Sequence, residues 1–191
     1  MIRSFLAIEL PRTILKKIEG VQKDLKASNA DVRWVHPEKI HLTLKFFGAV
    51  EESKIEAIAR SIDEPVRTTF PFLLKARGVG AFPNLKNPRV IWMGLVDDEE
   101  ILSSFQKRLE TEMEKAGVEP EERPFRPHLT LGRVNSSRGK NELAARIDPR
   151  REEEFGSFQV EKVVLFRSDL RPTGPIYTPL KELKLGGSKT G

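Results

Sequence analysis

Short apolar runs along the chain alternate with segments whose apolar positions recur every three or four residues. The run "SFLAIEL" at 4–10 reads as a short, mostly buried strand. After it Pro11 suits the first turn of a helix, and Ile14, Ile18, Val21 and Leu25 follow at helical spacing. "KIHLTLKFFG" at 39–48 returns to strand character, and Ile55, Ile58, Ala59 and Ile62 mark a second helix that Pro65 ends. Residues 70–82 and 89–96 predict two strands joined by the turn-rich "PNLKNP". The clearest helix spans 97–117. Asp97 and Glu100 give it a capping-box-like start, Leu102, Phe105, Leu109 and Met113 its apolar stripe, and Gly117 its C-cap. "PHLTLGRV" at 127–134 is again strand-like, a short helix fits 140–147, and strands over 158–168 and 176–185 complete the pattern. The glycine-rich stretch 186–191 is expected to be a flexible tail.

The order strand–helix–strand–helix comes early, and helix–strand–helix–strand comes late. Each half carries one copy of the tetrapeptide "HLTL", at 41–44 and 128–131. The prediction is an α+β fold duplicated into two lobes, with residues 1–185 as a single bilobal domain and one motif per lobe. No composition shift marks a linker between independent domains.

Composition narrows the chemistry. A chain of 191 residues can bury a substantial core, and 38% hydrophobic against 32% charged residues describes a globular protein with a charge-rich surface. No cysteine is present, which excludes disulfides, thiolate catalysis and cysteine zinc sites. A net charge of +5 weakly favours a polyanionic partner such as RNA. The first apolar run is interrupted by Glu9 and stopped by Pro11, too short for a signal peptide, and no run approaches a membrane span. A cytoplasmic protein without a membrane partner, monomeric by default, is expected.

Two of the three histidines open the repeated tetrapeptide, and strand parity gives that repeat a geometry. Alternate side chains of a strand point to opposite faces. In the first copy Ile40, Leu42, Leu44 and Phe46 would share one face, and His41, Thr43, Lys45 and Phe47 the other. In the second, Pro127, Leu129 and Leu131 lie opposite His128 and Thr130. A His and a Thr two residues apart on a strand sit roughly 6.5–7 Å apart, close enough to reach oxygens of one phosphate. Imidazoles titrate near neutrality, so one can take a proton while the other gives one. That pairing suits hydrolysis of a phosphodiester, with the Thr hydroxyls holding non-bridging oxygens. His36 has no partner motif and reads as a surface or strand-end residue.

Other chemistries fit less well. The HxT spacing does not offer two metal ligands from one strand, Thr is a poor zinc ligand, and no HExxH occurs, so no metal is expected. Neither a GxSxG elbow nor a GxxxxGK[ST] loop is present, and "GVGAF" misses the GxGxxG pattern, so no cofactor is expected either.

These residues carry a resemblance. Paired HxTx motifs in a duplicated α+β chain resemble the 2H phosphoesterase superfamily, in particular its LigT-like RNA 2′,3′-cyclic phosphodiesterases, also called 2′-5′ RNA ligases. "RSFLAIELP", "HLTLKFFG", "GVGAFPNLKNPRVIWMG", "RPHLTLGR" and "LFRSDLRPTGPIYTPL" are all similar to segments of that family and together span nearly the whole chain. The resemblance implies two antiparallel sheets facing a central cleft with helices outside. It implies His41 and His128 as the catalytic pair, and Thr43 and Thr130 as phosphate contacts. It also makes Arg133 a contact to the phosphate or the flanking RNA backbone. Counted from His128, however, Arg133 falls on the leucine face unless Gly132 introduces a bulge or the strand ends there. Lys45 and Arg126 are candidates only for electrostatic attraction of RNA, and for Phe47 both base stacking and packing between lobes stay open. The implied reaction opens an RNA terminal 2′,3′-cyclic phosphate to a 2′-phosphate. The alternatives are the reverse joining of cyclic-phosphate and 5′-hydroxyl ends, such as tRNA halves, and a non-catalytic RNA-binding module. Which histidine is acid and which base is left open.

Overall fold

A computed structural model describes residues 1–172 and 174–186, so the expected tail at 186–191 lies, apart from Gly186, outside the described residues. In chain order the elements are β1 (Ile2–Ile8), α1 (Arg12–Lys26), β2 (Val32–Trp34), β3 (Leu42–Val50), α2 (Ile55–Ser61), α3 (Asp63–Arg67), β4 (Phe72–Phe82) and β5 (Val90–Val96). Then follow α4 (Ile101–Lys115), β6 (His128–Val134), α5 (Lys140–Ile147), β7 (Glu154–Val160), β8 (Lys162–Asp169) and β9 (Ile176–Lys184). The strands form two antiparallel sheets, ordered β3-β1-β8-β9 and β2-β6-β5-β4-β7.

The helices carry the stripes that the periodicity predicts. Ile14, Ile18, Val21 and Leu25 of α1, Leu102, Phe105, Leu109 and Met113 of α4, and Leu143 and Ile147 of α5 are buried. They pack on the leucine faces of both sheets, with Leu6, Leu42, Leu44, Leu129 and Leu131 in the same core. Burying an apolar side chain of this size stabilises the fold by about 1.5–3 kcal/mol, which is why the leucine faces turn outward to the helices. The opposite faces of the sheets are left to line the cleft. The expected capping box does not form, because α4 starts only at Ile101, after Glu100 at φ 54°. Asp97, outside the helix, still accepts from the Leu102 amide of its first turn, and Gly117, at φ 81°, follows its last turn as expected of a C-cap.

Three further local expectations differ from the structure. Pro65 lies inside the short helix α3 instead of ending a helix: as its third residue it needs no intrahelical donor. The three-residue strand β2 has no periodic signal at that length. The apolar run 158–168 is not one strand. It breaks at Glu161, so that β7 borders the five-stranded sheet while β8 lies inside the four-stranded one. A period-2 pattern continues through such a corner because both strands bury one face.

Candidate active site

Both motif strands carry a bulge at the same place. Opposite β1, Thr43 pairs with Ala7 and Lys45 with Leu6, so Leu44 is the extra residue. Opposite β5, Thr130 pairs with Trp92 and Gly132 with Ile91, so Leu131 is the extra residue. A bulge reverses side-chain parity beyond it. Leu131 and Gly132 are therefore both buried, and Arg133 returns to the face of His128 and Thr130, exposed. Gly132 suits this turn, because a Cβ there would lie 2.7 Å from Val32 Cγ1.

The first copy behaves alike, which corrects three assignments. Lys45 does not face the cleft; it is buried, its Nζ 2.7 Å from Glu110 Oε2 and donating to the Glu119 carbonyl at 2.7 Å. Phe47 packs against the main core, which favours the packing alternative and takes it off the cleft face of His41. Phe46, assigned to the leucine face by simple alternation, is 65% exposed and its ring lies 5.8 Å from Phe5. Phe46 and Arg133 each stand five residues after their histidine. That common offset was the available signal for Phe46.

The histidines are held in the same way. His41 Nδ1 lies 3.0 Å from the Lys39 carbonyl, and His128 Nδ1 lies 2.6 Å from the Arg126 carbonyl. A carbonyl only accepts, so each ring carries its proton on Nδ1 when neutral, leaving Nε2 free to exchange one. Arg126 thus contributes its backbone oxygen, while its side chain stays exposed. Aromatic rings support both imidazoles. Phe5 stacks on His41 at 4.6 Å and Tyr177 meets it edge-on at 5.3 Å, while Phe82 meets His128 edge-on at 5.2 Å. Burial pushes His41 down to about 4, against the raising effect of its bond to Lys39. In the free protein at neutral pH His41 is therefore uncharged.

Thr43 and Thr130 are half-buried, and their hydroxyls make no hydrogen bond among the described residues, which leaves them available to a ligand. The two lobes approach each other through β3 and β6 and through Tyr177. Burial raises the pKa of this tyrosine, and the charge of Arg133 opposes that shift, so Arg133 of one sheet lies near the ring that touches His41 of the other. Tyr177, the single tyrosine of the chain, has no motif of its own and was not predicted as a site residue. His36 is exposed, as expected.

Behind the second motif stands Gln22 of α1, 2% exposed. Its amide nitrogen donates to the carbonyls of Leu131 at 2.9 Å and Val35 at 2.8 Å. The Leu131 carbonyl also accepts from the Val35 amide at 2.9 Å. Gln22 therefore clamps the bulged residue whose geometry turns Arg133 to the cleft. Among the described residues no three His, Asp or Glu side chains converge in a metal-binding group, and no helix is long and apolar enough to cross a membrane.

Known proteins are similar to this chain over nearly their whole length. The family model described as the 2′-5′ RNA ligase superfamily matches residues 10–172. The chain is 41% identical to an RNA 2′,3′-cyclic phosphodiesterase of Methanothermobacter thermautotrophicus, covering 96% of this chain and 99% of the relative. It is 33% identical to the protein of the same name from Aquifex aeolicus, covering 98% and 99%. Among solved structures, the E. coli LigT complex with 3′-AMP superposes with a TM-score of 0.75 at 26% identity, covering 96% of this chain and 98% of LigT. A protein of Thermus thermophilus superposes with a TM-score of 0.81 at 28% identity, covering 97% and 98%.

Proposed function

This chain belongs to the 2′-5′ RNA ligase superfamily, and on that basis we propose that it hydrolyses the 2′,3′-cyclic phosphate at the end of an RNA strand to a 2′-phosphate. It is then an RNA 2′,3′-cyclic phosphodiesterase, a phosphoric diester hydrolase acting by acid–base chemistry without a cofactor. The observation that carries this reading is the matched pair of histidines. Each has Nδ1 committed to the carbonyl two residues before it, and each stands at the entry to a bulged strand, two residues before a free threonine hydroxyl. We assign residues 1–185 to one catalytic unit, acting as a monomer in the cytoplasm, with tRNA fragments among its substrates.

In the proposed reaction the oxygen of water attacks phosphorus as one Nε2 removes its proton. The bond from phosphorus to O3′ breaks, and the other imidazolium delivers a proton to O3′. Thr43, Thr130 and Arg133 bind the phosphoryl oxygens or the adjoining backbone, where charge builds up. Placing two groups about the phosphate in this way supplies both proton transfers, each worth about 10²–10⁴ in rate. The site is nearly symmetric, so the same groups serve the reverse reaction when an RNA 5′-hydroxyl replaces water. The family's description as RNA ligases favours that second activity.

Hydrolysis of a cyclic-phosphate oligonucleotide tests the reading. His41→Ala and His128→Ala are each expected to lower kcat by at least about 10²-fold, and EDTA is expected to leave the rate unchanged. Full activity in either variant, or inhibition by EDTA that added metal reverses, would sink the two-histidine mechanism.

A further inference from the structure

Strand β2 is too short to stabilise the sheet greatly, yet it brings a second arginine to the motif strand. Arg33 pairs directly with Arg133 in the antiparallel ladder between β2 and β6. Directly paired residues share a face. Their neighbours Val32 and Trp34 point to the other face, where a Cβ at Gly132 would meet both side chains. Arg33 therefore stands with Arg133 on the face that carries His128 and Thr130, and both arginines are exposed.

Two like charges opposite each other weaken a strand pair. Neither guanidinium forms an ion pair among the described residues, although fourteen such pairs occur there, eight of them through other arginines. Asp31, two residues before Arg33, has its carboxylate engaged by the Asn135 side chain at 3.1 Å. An opposed pair of free arginines on a cleft face matches an anion with several oxygens. Arg133 stands three residues beyond Thr130, roughly 7–10 Å along the bulged strand. Arg33, one strand further out on β2, extends this anion-binding face away from the threonines.

We infer that Arg33 and Arg133 form a second phosphate subsite, which holds the backbone phosphate one nucleotide upstream of the cyclic end. The inference rests on the hydrolase reading and narrows its substrate class: the enzyme prefers an RNA strand to a free cyclic mononucleotide. Arg33 acts here as a specificity residue, distant from the reacting atoms.

The test compares the wild type and Arg33→Gln on a cyclic-phosphate pentanucleotide and on 2′,3′-cyclic AMP, with circular dichroism to verify folding. The ratio of kcat/KM between pentanucleotide and mononucleotide is expected to fall about tenfold in the variant, through KM of the pentanucleotide. Binding of the 2′-phosphate product strand, followed by fluorescence anisotropy, should lose about 0.7 from its log–log salt slope, as for one single-strand phosphate contact, and Arg33→Lys should restore that slope. An unchanged ratio together with an unchanged slope overturns the subsite. So does an equal loss on both substrates, which would assign Arg33 to the terminal phosphate. If the wild type hydrolyses neither substrate, the hydrolase reading fails, and the binding measurement still decides the role of Arg33.

Discussion

At His41 burial and hydrogen bonding act on the same ring in opposite directions. Burial against Phe5 and Tyr177 disfavours the imidazolium, the Lys39 carbonyl favours it, and burial prevails, leaving the ring with a pKa of about 4. The unfolded chain titrates this group near 6.5, so between 6.5 and 4 the unfolded state binds the extra proton. Stability is then full above pH 6.5 and falls as the pH drops towards 4, by about 3 kcal/mol from this residue alone. Denaturant titrations at intervals from pH 7 to pH 4 should show that fall, and His41→Phe, which keeps the ring packing, should flatten it. An anionic phosphate in the cleft favours the imidazolium, so adding a nucleotide 2′-phosphate is expected to raise the His41 titration seen by NMR towards neutrality. His41 was legible in the sequence as a site residue. Its electrostatic state was not, since the rings that bury it come from β1 and β9, at opposite ends of the chain.

The bulge is what makes each motif strand work as an element. Without it, alternation would put Arg133 in the core and Lys45 in the cleft; with it, the cleft positions fall at His, two residues on, and five residues on. The cost of an unpaired residue is offset in the second strand by Gln22, which takes up the Leu131 carbonyl. Gln22→Leu removes one donor from each carbonyl, leaving Leu131 with the Val35 amide alone, and is expected to destabilise the fold by about 1–3 kcal/mol. If Gln22 positions Arg133, the variant should also raise KM for RNA more than it lowers kcat, and Gln22→Glu, which cannot donate, should not restore it. A purely structural role would lower the midpoint of unfolding and leave KM unchanged. The bulge was foreseen only as one way out of the Arg133 parity conflict, because bulges follow from pairing with a neighbour strand and alternation records only one strand.

For the whole molecule, the lobes are not the halves of the chain. The four-stranded sheet takes β1 and β3 from the beginning and β8 and β9 from the end, while β2 and β4 of the first half complete the five-stranded sheet. The helices are exchanged as well. Gln22 of α1 reaches the second motif strand, and Glu110 of α4 reaches Lys45 in the first. Lys45 thus ties β3 to α4 and, through the Glu119 carbonyl, to the segment that leads into β6. Lys45→Ala leaves the largely buried Glu110 carboxylate with the Gln106 side chain and the Glu121 amide but no countercharge, and is expected to cost about 3 kcal/mol, read as a lowered midpoint in urea. An unshifted midpoint would show that Glu110 is solvated once the lysine is gone.

The residue pattern alone specifies the helix stripes, the leucine faces, the repeated His and Thr positions and the family to which they point. Those features are local: burial selects apolar residues at a helical or strand period wherever the element lies. Packing in three dimensions was needed to settle which strands complete each sheet, which rings bury His41, and that Phe46 and the arginine pair belong to the cleft. Each of these depends on hydrogen-bond register between segments far apart in the chain, and a shift of one residue in register exchanges one face of a strand for the other.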